Sequence, residues 1–169
     1  MVHHGMSLLC FSGEHPGLTW AVLGIAAGVT LVCVGIHYET IRLLVTVLHR
    51  KANRRSRPLL IVMVLVLLLA HLIEAAVFAL AYRLVFLIHP THAGRLAGDY
   101  DASFGDTLYF SLTVYTTVGF GDIAPLGPVR MLVGIEALAG LVLITWSASF
   151  TFLIMQRIFA RDFDIKSIP

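Results

Sequence analysis

The sequence predicts an all-α integral membrane fold of three spanning helices, with one short re-entrant helix and an irregular loop between the second and third. Three observations lead there. Of 169 residues, 58% are hydrophobic and only 13% charged, against roughly half and a quarter in a soluble globular domain. Three segments reach the ~20 apolar residues that cross a hydrocarbon core of about 30 Å. A fourth apolar segment is too short to cross and runs into Thr-Thr-Val-Gly-Phe-Gly-Asp, Thr116 to Asp122. Irregular backbone of that kind survives at membrane depth only where it is buried in protein or lines a wet cavity.

The first span covers Leu18 to Ile36, with an amphipathic extension through Tyr38, Glu39 and Arg42 toward His49. Residues Met1 to Pro16 lack the basic start of a secretory signal, and the apolar run that follows is long enough to stay in the bilayer. The second span follows Pro58 and runs to about Ile88. The third opens near Val129 and ends near Phe159, before Arg161, Asp162, Asp164 and Lys166. Between the first two lies the densest basic cluster, Arg50, Lys51, Arg54, Arg55 and Arg57. The positive-inside rule makes that loop cytoplasmic, which places the N-terminus and the 89–103 linker outside and the C-terminus in the cytoplasm. The same five cations are a candidate contact for anionic lipid, beside the plainer reading as a topology signal.

Phe104 to Tyr115 follows Asp101 and Ser103, which read as a helix start. This half-helix enters from outside and stops in mid-membrane, with the negative end of its dipole toward Thr116. In Thr117 to Gly121 the two glycines accept dihedrals that a Cβ forbids. Successive carbonyls then turn to one side while Val118 and Phe120 pack away, and the Thr117 hydroxyl adds an inner layer. One chain supplies one wall of such a stack. Four copies about an axis make squares of oxygens able to replace the water of a desolvated cation.

Thr117-Val118-Gly119-Phe120-Gly121-Asp122, preceded by a half-length helix and flanked by spanning segments, resembles the selectivity filter of the potassium channel family. The resemblance covers the last two thirds of the chain. It implies a homotetrameric potassium-selective channel in the plasma membrane, with K+ held by the carbonyls of Thr117, Val118, Gly119 and Phe120 and by the Thr117 hydroxyl. The alternative is a non-selective monovalent cation channel on the same architecture. It further implies an accessory region at 1–57, a pore domain at 58–160 and a cytoplasmic tail at 161–169. Thr113, Thr116, Asp122, Tyr109 and Phe110 are the expected filter supports. Two departures stand out. Phe120 replaces a common tyrosine and loses its bracing hydroxyl, and Thr113 stands where some relatives place a glutamate near the filter aspartate.

In the third span Gly140 lies closest to the family's hinge spacing and reads equally as a packing glycine; Gly134 reads as packing. Thr145, Ser149 and Phe152 fall at helical spacing and are candidate cavity-lining residues. Glu74 and Glu136 are intramembrane carboxyls, which are expensive and face protein or water. His71, one turn before Glu74, is its nearest partner. Anchoring is the favoured role for both, with pH-dependent gating the sharper alternative; Glu136→Gln is expected to alter assembly or open probability. Arg83 is expected to snorkel to the headgroups.

No helix carries arginine at every third position, so a voltage-sensing pattern is absent. Cys33 reads as a small buried hydrophobe, while Cys10 is able to cross-link a neighbouring copy if its side is oxidising. The eight histidines are scattered, so neither a cofactor nor a structural metal site is expected, K+ in the filter apart. Nothing points to catalysis or to nucleic acid.

Overall fold

The computed structural model describes residues 16–50, 56–90 and 92–164. Four helices carry the architecture: α1 (Pro16–Arg50), α2 (Ser56–Ile88), α3 (Phe104–Tyr115) and α4 (Val129–Asp164). The long three each contain a stretch apolar enough to cross a membrane, Gly17–Leu48, Pro58–Ile88 and Val129–Ala160. Each of those stretches has 31 or 32 residues, so at 1.5 Å per residue it extends to about 47 Å, which exceeds the hydrocarbon core and leaves room to tilt or protrude. The 12 residues of α3 reach only about 18 Å, too short to cross a hydrocarbon core of about 30 Å.

Helix α3 begins as its sequence indicates. The Ser103 hydroxyl accepts from the Asp106 amide at 3.0 Å, and the Ser103 amide donates to Asp101 Oδ1 at 2.8 Å. These bonds occupy donors that a helix start leaves open. The amide of Asp101 donates to Asp106 Oδ2. The Asp101 carboxyl is held below its usual range, first by its interaction with the Asp106 side chain and then by the bond from the Ser103 amide.

Helix α1 packs on both α2 and α4, and α3 nests between α2 and α4. The main core joins Val22, Ala26 and Cys33 of α1, Phe78, Tyr82 and Val85 of α2, Phe110 and Tyr115 of α3, and Leu132 and Leu143 of α4. A second cluster, Leu44, Met63, Leu67 and Ile154, closes the other end of the three-helix bundle. The first helix is therefore part of the same packed body as α2, α3 and α4.

The linkers add what helical periodicity did not reveal. Strands β1 (Arg95–Gly98) and β2 (Ile123–Leu126) pair antiparallel, Arg95 opposite Leu126 and Gly98 opposite Ile123. The approach is close: a Cβ on Gly98, at φ +114°, would lie 1.9 Å from the Asp122 carbonyl oxygen. Only glycine fits there. Arg83, exposed near the end of α2, donates its guanidinium to the Ala102 carbonyl at 3.1 Å and so ties α2 to the turn before α3. Cys10, Lys51, Arg54 and Arg55 lie outside the described residues, as does the end of the tail.

Candidate functional site

The loop after α3 is built by its own backbone. The Thr116 amide donates to the Leu112 carbonyl at 3.1 Å, Thr117 to Val114 at 2.8 Å and Gly119 to Thr113 at 3.0 Å. Three carbonyls at the helix C-terminus thereby find partners. The Thr113 and Thr116 hydroxyls turn back onto the carbonyls of Phe110 and Leu112. Beyond that cap φ is positive at every second residue, 60° at Thr117, 52° at Gly119 and 82° at Gly121. Alternating the hand of successive residues turns their peptide groups the same way, whereas a strand alternates them. Thr117 is the one member of that series with a Cβ, and its positive φ was not foreseen from the sequence. Among the described residues no carbonyl from Thr117 to Gly121 accepts a hydrogen bond.

The loop is also bare. Every residue from Thr116 to Asp122 is exposed in the single chain, with Val118 at 56% and Phe120 at 70%. Phe120 lies parallel to Tyr109, ring centroids 6.5 Å apart, and the Tyr109 hydroxyl donates to Asp122 Oδ2 at 2.8 Å. A bracing hydroxyl is thus present, supplied by α3 and received by the aspartate. That bond holds the Tyr109 phenol above its usual range, since ionising it would remove the donor and set two anions together. Phe110, also expected beside the loop, turns instead into the core against Tyr82, centroids 5.4 Å apart.

Two buried carboxyls hold α3 from either side. Glu136 of α4 accepts from the Tyr82 hydroxyl of α2 and meets the Ser111 hydroxyl of α3; Ser111 Oγ also lies 2.7 Å from the Ala75 carbonyl. Glu74 of α2 accepts from the Tyr115 hydroxyl at the last residue of α3. It meets His71 Nδ1 at 3.1 Å, as the sequence spacing indicated, and His37 Nδ1 of α1 at 3.0 Å. Ser147 of α4 faces both imidazoles. Cys33 is buried and its thiol points to the Glu74 carbonyl at 3.8 Å.

His37, Tyr82, Ser111, Tyr115 and Ser147 were not legible as site residues. Each is an ordinary residue type in its own helix, and only packing brings them to the two carboxyls. A buried polar residue in each of four apolar helices was the available signal.

Gly140 has a close-packing role in this chain: a Cβ there would lie 2.0 Å from the Tyr115 carbonyl oxygen. A Cβ added to Gly134 would meet nothing within 4 Å outside its own helix backbone. Thr145 and Ser149 lie on an exposed face with their hydroxyls bonded to the carbonyls of Leu141 and Thr145, at 2.7 and 3.0 Å, and Phe152 is exposed beside them.

In comparison with known proteins, a family model described as ion channel matches residues 61–157, from α2 through the loop into α4. No curated protein and no solved structure matches the chain.

Proposed function

The chain belongs to the ion channel family, a multi-pass membrane protein rather than an enzyme, and we propose that it conducts potassium selectively as a homotetramer. One observation carries the reading: φ is positive at Thr117, Gly119 and Gly121 in turn, in a stretch whose carbonyls accept no bond among the described residues. Unpaired carbonyls in an apolar layer cost several kcal/mol each by order of magnitude. Four such stretches about an axis offer them a dehydrated cation instead, and cover the apolar Val118 and Phe120 side chains at the same time.

Ions enter from a cavity lined by Thr145, Ser149 and Phe152, shed water for the carbonyls of Thr117 to Phe120 and the Thr117 hydroxyl, and leave past Gly121 by mutual displacement. The carbonyl end of α3 favours a cation below the loop. The 58–160 core forms the pore in the plasma membrane, with the N-terminus outside and the C-terminus in the cytoplasm. Arg50, Lys51, Arg54, Arg55 and Arg57 set that orientation and meet anionic lipid.

The test is reconstitution in liposomes with opposed potassium and sodium gradients. A reversal potential that follows potassium is expected. One midway between the two equilibrium values would favour a non-selective cation pore, and a stable monomer in detergent would remove the tetramer.

A further inference from the structure

The polar cluster between α1 and the end of α3 contains an imbalance of hydrogens. Ser147 Oγ faces Nε2 of both imidazoles, His71 at 3.1 Å and His37 at 3.3 Å. Glu74 faces Nδ1 of both, at 3.0 and 3.1 Å, and the Tyr115 hydroxyl as well; Tyr115 is also 3.0 Å from His71 Nδ1. A neutral imidazole carries one N–H and a serine one O–H. If both rings donate from Nδ1 to the carboxylate, both Nε2 atoms are acceptors and Ser147 supplies only one of them. If both donate from Nε2 to Ser147, whose oxygen has two lone pairs, both Nδ1 lone pairs confront the carboxylate. Every mixed assignment also leaves one short contact between two acceptors. With Glu74 ionised and the rings neutral, the cluster is one positive charge short.

We infer that His37 Nδ1, His71 Nδ1 and the Glu74 carboxylate hold one divalent transition-metal ion that pins α1 to α2 beside the last residue of α3. One ligand atom from each of the three residues lies within 4.8 Å of the other two. Tetrahedral zinc with bonds of about 2.0–2.1 Å separates neighbouring ligand atoms by about 3.3 Å; His37 Nδ1 lies 3.0 Å from Glu74 Oε1 and His71 Nδ1 lies 3.1 Å from Glu74 Oε2, so each imidazole already stands within a few tenths of an ångström of that spacing from one carboxylate oxygen. With metal on both Nδ1 atoms, both Nε2–H groups donate to Ser147 and Tyr115 donates to the carboxylate. That is the outer shell metal-bound histidines and carboxylates require, and no acceptor faces another. The excess charge of the ion meets the negative end of α3, which terminates at Tyr115.

This site stands apart from conduction, and its test reads binding. Tag-free protein with His3 and His4 replaced by alanine is equilibrated with zinc in detergent, desalted and assayed for zinc per chain, folding being followed by circular dichroism. About one ion per chain is expected, falling to background in folded His37→Gln, and Ser147→Ala should weaken binding about 10- to 100-fold. Cobalt(II) added to protein with His37, His71 and Glu74 intact should give the visible bands of a four-coordinate site. No zinc above background, zinc undiminished by folded His37→Gln, or a six-coordinate aquo cobalt spectrum would each overturn the assignment.

Discussion

Glu136 offers a sharp test because its bonds fix where a hydrogen must lie. Ala75's carbonyl only accepts, so the single Ser111 hydrogen goes to it. Ser111 Oγ must then accept from Glu136 Oε1, while Oε2 accepts from Tyr82. The relay runs from Tyr82 through Glu136 and Ser111 to Ala75 and joins three helices. Glutamine has the same shape, a carbonyl for Tyr82 and an N–H for Ser111, and its surplus N–H costs about 1 kcal/mol. Alanine leaves the buried Tyr82 hydroxyl without an acceptor, about 1–3 kcal/mol, and opens a cavity, for a total of about 3–5 kcal/mol. At roughly 2–4 °C per kcal/mol for a chain of this size, Glu136→Gln should melt within about 4 °C of the parent and Glu136→Ala about 10 °C below it. Thermal unfolding in detergent, with oligomer mass recorded alongside, reads both. The expectation from sequence alone, that Glu136→Gln alters assembly or open probability, is read by the same oligomer mass together with current recordings. A glutamine variant as damaged as the alanine variant would refute the relay and restore a need for the charge.

Gly140→Ala should fail more severely than a surface glycine change. Its methyl meets the Tyr115 carbonyl at 2.0 Å, and the shift that relieves the clash should cost about 1–3 kcal/mol or more, seen as a lowered melting point and less oligomer, while Gly134→Ala, with open space around it, should change melting little. Ser103→Ala removes the α3 cap and should lower stability by about 0.5–2 kcal/mol, read in the same melt. The Tyr109 phenol is held up by its bond to Asp122, so the stabilisation is whole below the ordinary phenol range and disappears as pH rises through the raised value. Ultraviolet titration of phenolate should show one tyrosine moving down in Asp122→Asn; an unmoved curve would show that the bond does not form. Gly121→Ala places a Cβ at φ +82°, a strain of about 1–2 kcal/mol per chain, and potassium-to-sodium permeability ratios should fall.

The helices were legible because span length and composition suffice for them. α3 was found from Asp101, Ser103 and a run too short to cross, and it occupies Phe104–Tyr115 as read. The β1–β2 ribbon was not, since Arg-Leu-Ala-Gly and Ile-Ala-Pro-Leu are four residues each and carry no strand pattern of their own; their pairing is a product of chain closure around the loop. The carboxyl at Glu74 could be flagged from its cost in an apolar helix, and His71 from its spacing. His37 could not, because thirty-seven positions separate it from Glu74 and its own helix gives no sign of which neighbour it meets. Gly140 was legible as a special position, but the distinction between bending and close approach needed the Tyr115 carbonyl beside it.

The small ribbon fixes the lengths of two stretches of chain that would otherwise be free to drift. Each of its four rungs matches a residue before α3 with one after the loop, so adding or deleting a single residue on either side would invert which side chains point inward. Evolution and protein engineers therefore face the same ruler. Peptide tags or extra residues placed between 95 and 98 or between 123 and 126 should be rejected, and changes in both strands together are the ones that keep the rungs aligned.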